Sequence, residues 1–186
     1  REKIKEYLID SDMVFVTGGL GGGTCSGASA VVAEAARDAG TLVIGVVTKP
    51  FSFEGAQRAR IAEEAWQKLK ERVDALITVQ NDRLLNVISK DTSLLSAFII
   101  CDDVLRQAVQ GISDLIVTPG IINVDFADVR AIMSDAGSAL MGVGYGTGED
   151  RAIVAAKAAV SSPLLDISIH GARGVLFNVS GGEDLT

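Results

Sequence analysis

A glycine-rich turn is the part of this sequence whose residue types most directly suggest chemistry. Five of the six residues from Gly18 to Gly23 are glycine. An apolar run of strand length, Met13–Thr17, leads into the turn, and an alanine-rich helical pattern, Ser26–Ala39, leaves it. Glycine lets the backbone approach a ligand closely, and a helix start offers free N–H groups at the positive end of its dipole. The turn therefore predicts an anion cradle, to which the hydroxyls of Thr24 and Ser26 add donors.

The spacing of the turn distinguishes three kinds of phosphate-binding loop. A P-loop requires Gly-Lys-Ser/Thr, and the turn has no lysine. A dinucleotide loop requires G-x-G-x-x-G, but the sixth position is Thr24 counted from Gly19 and Ser26 counted from Gly21. It also requires an acid after the second strand, where this chain has Thr48-Lys49-Pro50. The remaining pattern is the tubulin-type GGGTGSG, against GGGTCSG here.

A plain strand–helix turn without a ligand is the alternative interpretation. Such a turn needs only one or two glycines, and each further glycine costs up to about 1 kcal/mol of conformational entropy against alanine in a regular element. The glycine content therefore favours a phosphate site.

Helical patterns and apolar runs of strand length alternate along the first part of the chain. Continuous apolar runs are typical of parallel strands buried on both faces, and the strand–helix–strand order predicts βαβ crossovers. We therefore expect an α/β fold with a Rossmann-like, partial parallel sheet. The predicted strands are Met13–Thr17, Leu42–Val47 and Ala75–Val79, and the predicted helices are Lys3–Leu8, Ser26–Ala39, Glu54–Val73, Asn81–Ser89 and Thr92–Val117.

The long helix predicted from about Thr92 to Val117 divides the chain. Its apolar stripe is too broad for a single packing face, so we expect it to be a central strut packed on more than one side. The breaker Thr118-Pro119-Gly120 ends it, and a second alternation then predicts the start of a second, α+β domain. The predicted elements of that domain are helices Asp125–Ser134 and Gly148–Val160 and strands Ala139–Tyr145 and Arg173–Val179.

Composition argues against several classes of protein. The net charge is −7 and the sequence pI is about 4.7, and an acidic surface repels nucleic-acid phosphates. No apolar run reaches the ~20 residues that span a bilayer, and no secretory signal opens the chain. Cys25 and Cys101 lack metal-ligand spacing, so no metal site is predicted. These features predict a cytoplasmic protein that neither binds nucleic acid nor inserts directly into a membrane.

Further strings accompany the glycine loop in one order and spacing. They are TKPFSFEG (48–55), NDRL (81–84), KDTSLL (90–95), VLRQAVQGI (104–112), NVDFADVR (123–130), GVG (142–144) and GGEDLT (181–186). Along nearly its whole length the chain resembles the FtsZ family of bacterial, tubulin-like cell-division GTPases. The set of strings is far more specific than any single motif.

The resemblance implies a protein that binds GTP and GDP, with Mg²⁺ accompanying GTP, and that hydrolyses GTP as it polymerises head to tail with copies of itself. Its filaments would form the bacterial division ring, in the cytoplasm at the division site. Membrane-tethering and regulatory division proteins would bind regions outside this chain. The implied domains are a partial GTP-binding domain (1–90), a central core helix (91–117) and a partial C-terminal activation domain (118–186).

The resemblance also implies a partial chain. The family's first glycine-rich loop would precede Arg1, and further strands of the second domain would follow Thr186. We therefore expect the isolated chain to bind GTP weakly and to be a poor GTPase.

Nucleotide-binding roles follow from the resemblance as well. Pro50 would shape the turn beside the phosphates, and Glu54 and Arg58 would meet the ribose and its surroundings. A plainer alternative is that Glu54 simply opens a helix. The implied phosphate-binding residues are Gly19, Gly21, Gly22, Gly23, Thr24, Cys25 and Ser26.

Three residues would recognise the base. Asn81 and Asp102 would hydrogen-bond the guanine edge, and Phe98 would lie against the ring. The alternatives are that Asn81 caps the short helix it begins, and that Phe98, which shares a helix face with Asp102, belongs to the core.

Asn123, Asp125 and Asp128 are the implied catalytic residues. In the family their loop docks onto the nucleotide of the neighbouring subunit, where Asp125 and Asp128 would polarise the attacking water. The alternative is ordinary helix chemistry, in which Asp125 is an N-cap and further acids occupy the first turn.

The chain departs from the family pattern at three positions. Ala30 replaces the usual proline, and Gln80 precedes Asn81 where proline is common. Cys25 replaces glycine, which would strain the chain by about 1–2 kcal/mol if the position needs a positive φ. If Cys25 lies instead in the first turn of the helix, the pKa of its thiol is expected to fall.

Two other functions compete with an assembling GTPase. A nucleotide-binding, FtsZ-like module with little or no GTPase activity would keep the fold but be disabled, for example by Cys25. A nicotinamide-dependent oxidoreductase is disfavoured by the loop spacing and the missing acid. His170, the single histidine, is expected to be a surface residue.

Overall fold

The computed structural model describes residues 2–85, 92–161 and 171–182. The segment 86–91, which holds the end of the predicted helix Asn81–Ser89 and the start of the KDTSLL string, lies outside these residues, as do His170 and Glu183–Thr186. The elements are α1 (Glu2–Leu8), β1 (Met13–Gly19), α2 (Gly23–Asp38), β2 (Leu42–Lys49), a 3₁₀ turn (Ser52–Glu54), α3 (Ala56–Lys70), β3 (Ala75–Gln80), α4 (Asn81–Leu84), α5 (Leu94–Val117), α6 (Phe126–Met133), β4 (Gly137–Ala139) and α7 (Arg151–Val160).

The four strands form one parallel sheet in the order β1-β2-β3-β4. Gly45 in the middle of β2 pairs with Val16 of β1 and with Leu76 of β3. Because all four strands run the same way, their carboxyl ends lie at one edge of the sheet and their amino ends at the other. The predicted α/β fold with a parallel sheet is confirmed.

Strand β2 is buried on both faces, and alternate residues pack against different helices. Val43 and Val47 contact the small and aliphatic side chains of α2 and α3, whereas Leu42, Ile44 and Val46 contact α5. A strand with solvent on neither side needs a helix layer on each face. This burial on both faces is the physical reason why the sequence of β2 is a continuous apolar run.

Helix α5 crosses the sheet in the direction opposite to the strands. Its first turns pack Ala97 and Cys101 against Val79, near the carboxyl end of β3. Further along, Ala108 and Ile112 pack against residues near the amino ends of β2 and β3. The helix therefore begins at the carboxyl edge of the sheet and ends at the amino edge. Among the described helices, none is both long and apolar enough to cross a bilayer.

The strand predicted over Ala139–Tyr145 is wrong in extent. Strand β4 covers Gly137–Ala139, and residues 140–147 form neither helix nor strand. β4 pairs with the start of β3, and the Gly137 N–H donates to the Asp74 carbonyl at 2.9 Å. The chain after α6 therefore extends the first sheet, because the open edge of β3 offers backbone partners there.

The strand predicted over Arg173–Val179 is also wrong, since residues 171–182 contain neither helix nor strand. A strand exists only through hydrogen bonds to a neighbour, and no described strand pairs with this segment.

The helix predicted from Glu54 begins instead at Ala56, because Gly55 has φ +102° and separates it from the 3₁₀ turn. The domain boundaries at residues 90 and 117 stay predictions.

We expect Gly45→Ala to lower the free energy of unfolding by about 1–3 kcal/mol, because the new methyl group would overpack the core. It would lie 2.6 Å from Leu76 Cδ1, 3.5 Å from Val73 Cγ1 and 3.6 Å from Leu69 Cδ2. Gly111→Ala in α5 is the matched control, because its methyl group would meet no atom within 4 Å. The control should gain up to about 1 kcal/mol from helix propensity. Urea unfolding of the intact protein measures both, and equal effects would contradict the packing argument.

Candidate functional site

The glycine loop is held at the carboxyl edge of the sheet by two hydrogen bonds. The Leu20 N–H donates to the Thr48 carbonyl at 2.9 Å, which fixes the loop to the end of β2. The Gly21 N–H donates to Ser26 Oγ at 2.9 Å, which closes the loop over the first turn of α2. Gly21 has φ +101°, a conformation that side chains other than glycine rarely adopt. The loop is therefore fixed in shape by its own backbone.

Helix α2 begins at Gly23, three residues earlier than the sequence predicts. Its N-cap is Gly22, and no side chain caps the free N–H groups of the first turn. A Cβ placed on Gly22 or Gly23 would meet no atom within 4 Å, so there is open space beside the backbone of these two residues. Uncapped donors at the positive end of a helix are suited to an anion such as phosphate.

Pro50 and Arg58 pack against the glycine loop. A Cβ on Gly21 would lie 3.1 Å from the Arg58 carbonyl oxygen and 3.4 Å from Pro50 Cγ. Glu54 ends the 3₁₀ turn, and its carboxylate accepts from the Phe51 N–H and from Arg58 Nη1, both at 2.8 Å. Glu54 therefore does not open helix α3. Its contact with Arg58 brings both residues beside the loop, while their ribose role stays a prediction.

Asn81 follows β3 at the same edge and is 5% exposed. It is the first residue of α4, whose N-cap is Gln80, and it does not cap the helix. Its Oδ1 accepts no hydrogen bond within the described residues. A buried amide oxygen without a partner is destabilising by about 1–3 kcal/mol. Because Asn81 keeps such an oxygen, it is a candidate for contact with a ligand.

The first turns of α5 complete this edge. Phe98 lies edge-on to Phe51, with ring centroids 5.4 Å apart, and Phe51 stacks on Phe53 at 4.8 Å. Burial, with the nearby carboxylates of Asp102 and Glu54, raises the pKa of the Cys101 thiol to about 11. Asp102 itself is exposed and forms no hydrogen bond within the described residues. The aromatic face and the free carboxylate thus lie next to the residues that flank the glycine loop.

Cys25 occupies the first turn of α2 and has a helical backbone, so the expected strain is absent. Its thiol points back over the loop, and a Cβ on Gly18 would lie 2.9 Å from Sγ. Burial raises the pKa of this thiol. The expected fall was wrong, because desolvation of the charged form outweighs the favourable helix dipole.

The three predicted catalytic residues lie at the other edge of the sheet, after the end of α5. The Asn123 side chain accepts from the Gly120 N–H at 2.6 Å. Asp125 is the N-cap of α6 and accepts from the Asp128 N–H at 2.9 Å. The alternative of ordinary helix capping therefore holds for Asp125. The Asp128 carboxylate is exposed and forms no hydrogen bond with the described residues.

This placement separates the two predicted half-sites. From Asp102 to Val117 the axial rise of α5 is about 22 Å at 1.5 Å per residue. Ile121 and Ile122, which precede Asn123, are 101% and 90% exposed. The structure thus brings the residues predicted to bind nucleotide together and keeps the predicted catalytic acids away from them.

Sequence reasoning assigned no role to Thr48 or Phe51. Thr48 anchors the loop through its carbonyl, and Phe51, 1% exposed, supports Phe98. Phe51 and Phe53 flank Ser52 directly after a strand, and this aromatic pattern could have indicated the packing role of Phe51. Nothing in the sequence indicates a backbone carbonyl contact.

The parallel sheet, the glycine loop and the uncapped helix define a phosphate-binding α/β protein. Residues 1–89 match the GTPase domain of the Tubulin/FtsZ family, and residues 137–186 match the FtsZ family C-terminal domain. Together with the structural likeness given next, these matches show that the chain belongs to the Tubulin/FtsZ family.

Solved structures agree with this assignment. An empty FtsZ dimer from M. jannaschii is 45% identical over 89% of this chain and 48% of its own, with a TM-score of 0.84. A point mutant of that FtsZ gives the same identity, score and 89% coverage of this chain, with 49% of its own. A GDP-bound CetZ1 monomer from Haloferax volcanii is 25% identical over 75% of this chain and 39% of its own, at a TM-score of 0.56. The chain spans about half the length of the FtsZ structures.

We expect both cysteines to react slowly with iodoacetamide at neutral pH, because their raised pKa values leave little thiolate. Cys101, which is 4% exposed, should react more slowly than Cys25 and gain reactivity only towards pH 11. Mass spectrometry of each cysteine peptide across a pH series measures the two rates, with free cysteine as the reference. A Cys25 rate at neutral pH equal to that of free cysteine would contradict the burial argument.

Proposed function

We propose that this chain forms part of a GTP-hydrolysing protein that polymerises head to tail, with hydrolysis at the contact between subunits. One observation carries the proposal: the residues suited to bind nucleotide and the free carboxylate suited to activate water lie at opposite edges of one sheet. The Asp128 carboxylate lies beyond the end of α5, which rises about 22 Å from Asp102 to Val117, so it cannot reach a nucleotide in its own subunit. It can reach one in a second copy stacked on the amino edge.

The chemistry of the carboxyl edge fits a guanine nucleotide. The uncapped N–H groups of α2 and the hydroxyl of Thr24 would hold the phosphates. Phe98 offers an aromatic surface to the base. The free carboxylate of Asp102 and the unsatisfied Oδ1 of Asn81 are both acceptors, and the guanine edge carries two neighbouring donors, N1–H and N2–H.

Mg²⁺ would accompany the triphosphate. In the part of the chain that the structure describes, no three His, Cys, Asp or Glu side chains converge in a way that could hold a metal ion. Mg²⁺ commonly keeps several waters and binds through substrate phosphates with few protein ligands, so this chain would receive the ion with the nucleotide.

Hydrolysis would depend on the loop before α6. Phosphoryl transfer is driven by positioning and by electrostatic stabilisation of charge. Asp125 is already engaged as an N-cap and fixes the first turn of α6. Asp128 would then orient the attacking water, with Asn123 shaping the loop through its bond to Gly120.

The apolar character of both edges supports assembly. Ile121 and Ile122 are fully exposed beside the acids, and Leu95 and Ile99 are exposed beside the base site. Joining one edge to the other is a heterologous contact that does not close on itself, so it generates a filament. We further propose that this filament is the division ring, in the cytoplasm at the division site, with tethering and regulatory proteins bound outside this chain.

We expect Asn81→Leu to weaken GTP binding by roughly 10-fold while leaving stability unchanged or improved. Losing one hydrogen bond to a ligand has about that effect, whereas replacing an unpaired buried amide by an apolar side chain removes a penalty. Calorimetric titration with GTP and urea unfolding, both on the intact protein, measure the two quantities. Unchanged GTP affinity would remove Asn81 from the base site.

We expect Asp128→Asn to abolish GTP turnover and to leave GTP affinity within twofold, because the residue would act only on a neighbour's nucleotide. Turnover per molecule in the unaltered protein should rise above a threshold concentration. Phosphate release assays measure both effects.

A mixing control makes this test specific to a shared site. The mixture is assayed at a GTP concentration that fills the intact site but not the weakened Asn81→Leu site. In an equal mixture of Asp128→Asn and Asn81→Leu proteins, about a quarter of contacts would then join an intact nucleotide site to an intact acid loop. Turnover by the mixture above the sum of its parts supports the proposal. Turnover independent of concentration, with no gain on mixing, would contradict it.

A further inference from the structure

Two arginines connect helix α6 to the turn between α2 and β2 at the amino edge of the sheet. Arg37, in the last turn of α2, donates from Nη2 to Asp135 Oδ1 at 2.8 Å, just beyond the end of α6. Arg130, in the last turn of α6, donates from Nη2 to the Gly40 carbonyl at 3.0 Å. One bond is donated by α2 and the other by α6, so the two bonds hold the C-terminal end of α6 from two sides.

The surface around these bonds is anchored to the sheet. The Asp74 carboxylate, which is 8% exposed, accepts from the Val43 N–H at 2.8 Å, and the Asp74 carbonyl accepts from the Gly137 N–H. Arg37 also donates from Nη1 to the Glu71 carbonyl at 3.5 Å. The chain just after Asp135 is thereby tied, through Gly137 and Asp74, to the starts of β2 and β3.

The contribution of these bonds to stability is expected to be small. The side chains of Arg37 and Asp135 are 44% and 79% exposed, and exposed ion pairs add little to folding. Burial of Val129, at 0% exposure, supplies the anchor of α6. Phe126 and Met133, at the two ends of α6, are only partly buried against the core, and the two arginine bonds add directional polar contacts at the last turn that further restrict the tilt of the helix.

We propose that Arg37 and Arg130 are positioning residues for the acids at the start of α6, an inference that rests on the proposed function. By fixing the last turn of α6, they set the direction in which its first turn presents Asp125 and Asp128 to the neighbouring subunit. Helix α2 starts at the glycine loop and ends at Arg37 and Asp38, so one rigid helix of about 24 Å fixes both half-sites of a subunit.

The test uses Arg37→Gln, Arg130→Gln and the double variant of the intact protein. Catalytic geometry is sensitive to shifts of about 1 Å, so the double variant should lose roughly tenfold or more in turnover at saturating GTP, and each single variant less. GTP affinity should stay within twofold and the melting temperature should barely change. Amide hydrogen exchange across residues 125–133 should accelerate.

Two further variants control the experiment. Lys5→Gln removes another exposed ion pair at the end of α2, the 3.4 Å contact of Lys5 with Asp38, which leads to α1 instead of α6. It should change none of the readouts. Arg130→Lys should recover most of the turnover, because the Gly40 carbonyl accepts from a single nitrogen that lysine can supply.

The outcomes separate this inference from the function on which it rests. Loss of turnover with faster exchange in α6 and constant GTP affinity supports it. Normal turnover in the double variant, or a loss that merely follows GTP affinity or melting temperature, overturns it while leaving the GTPase intact. An unaltered protein that assembles and binds GTP but never hydrolyses it overturns the proposed function, and this inference falls with it.

Discussion

The complete burial of strand β2 is the constraint on which the rest of the molecule depends. From Leu42 to Thr48 no side chain reaches solvent, so helices must cover both faces of the sheet. Covering both faces while keeping the strands parallel requires crossover connections, which return every strand to the same direction. All carboxyl ends then meet at one edge. The glycine loop, Pro50 and Asn81 are neighbours for this reason, although Asn81 follows the last glycine of the loop, Gly23, by 58 positions.

The carboxyl edge of the sheet, where the residues predicted to bind nucleotide lie, differs from the core in how its polar groups are satisfied. Core side chains are mostly apolar, and the buried Thr41 and Asp74 both have hydrogen-bond partners. Ser29 Oγ, buried within α2, is an exception, since it has no partner among the described residues. At the carboxyl edge, helix α2 lacks a side-chain cap, and Asn81 Oδ1 has no partner among the described residues. Departures of this kind lower stability and concentrate at functional sites. A ligand with phosphates would satisfy the helix N–H groups, and a donor-bearing base would satisfy Asn81 Oδ1.

The direction of α5 gives the molecule two chemically different ends. The helix begins beside the residues predicted to bind the base and ends before the loop that carries the predicted catalytic acids, so a single rigid element fixes their separation. Under the proposed function, a lone subunit would lack a complete active site. A neighbouring subunit would also cover apolar side chains such as Ile121, which is exposed in this structure.

The sequence by itself determined the alternation of helices and strands, the parallel sheet and the anion cradle, because burial period and glycine content are local properties of the chain. It missed what depends on neighbours distant in sequence. Strand β4 is short and pairs only with the start of β3, and the segment 173–179 forms no strand because no described strand pairs with it. Cys25 was expected to be acidic from its place in the helix. Only the tertiary structure put Gly18 beside its sulfur, where loss of hydration outweighs the helix dipole and raises the pKa.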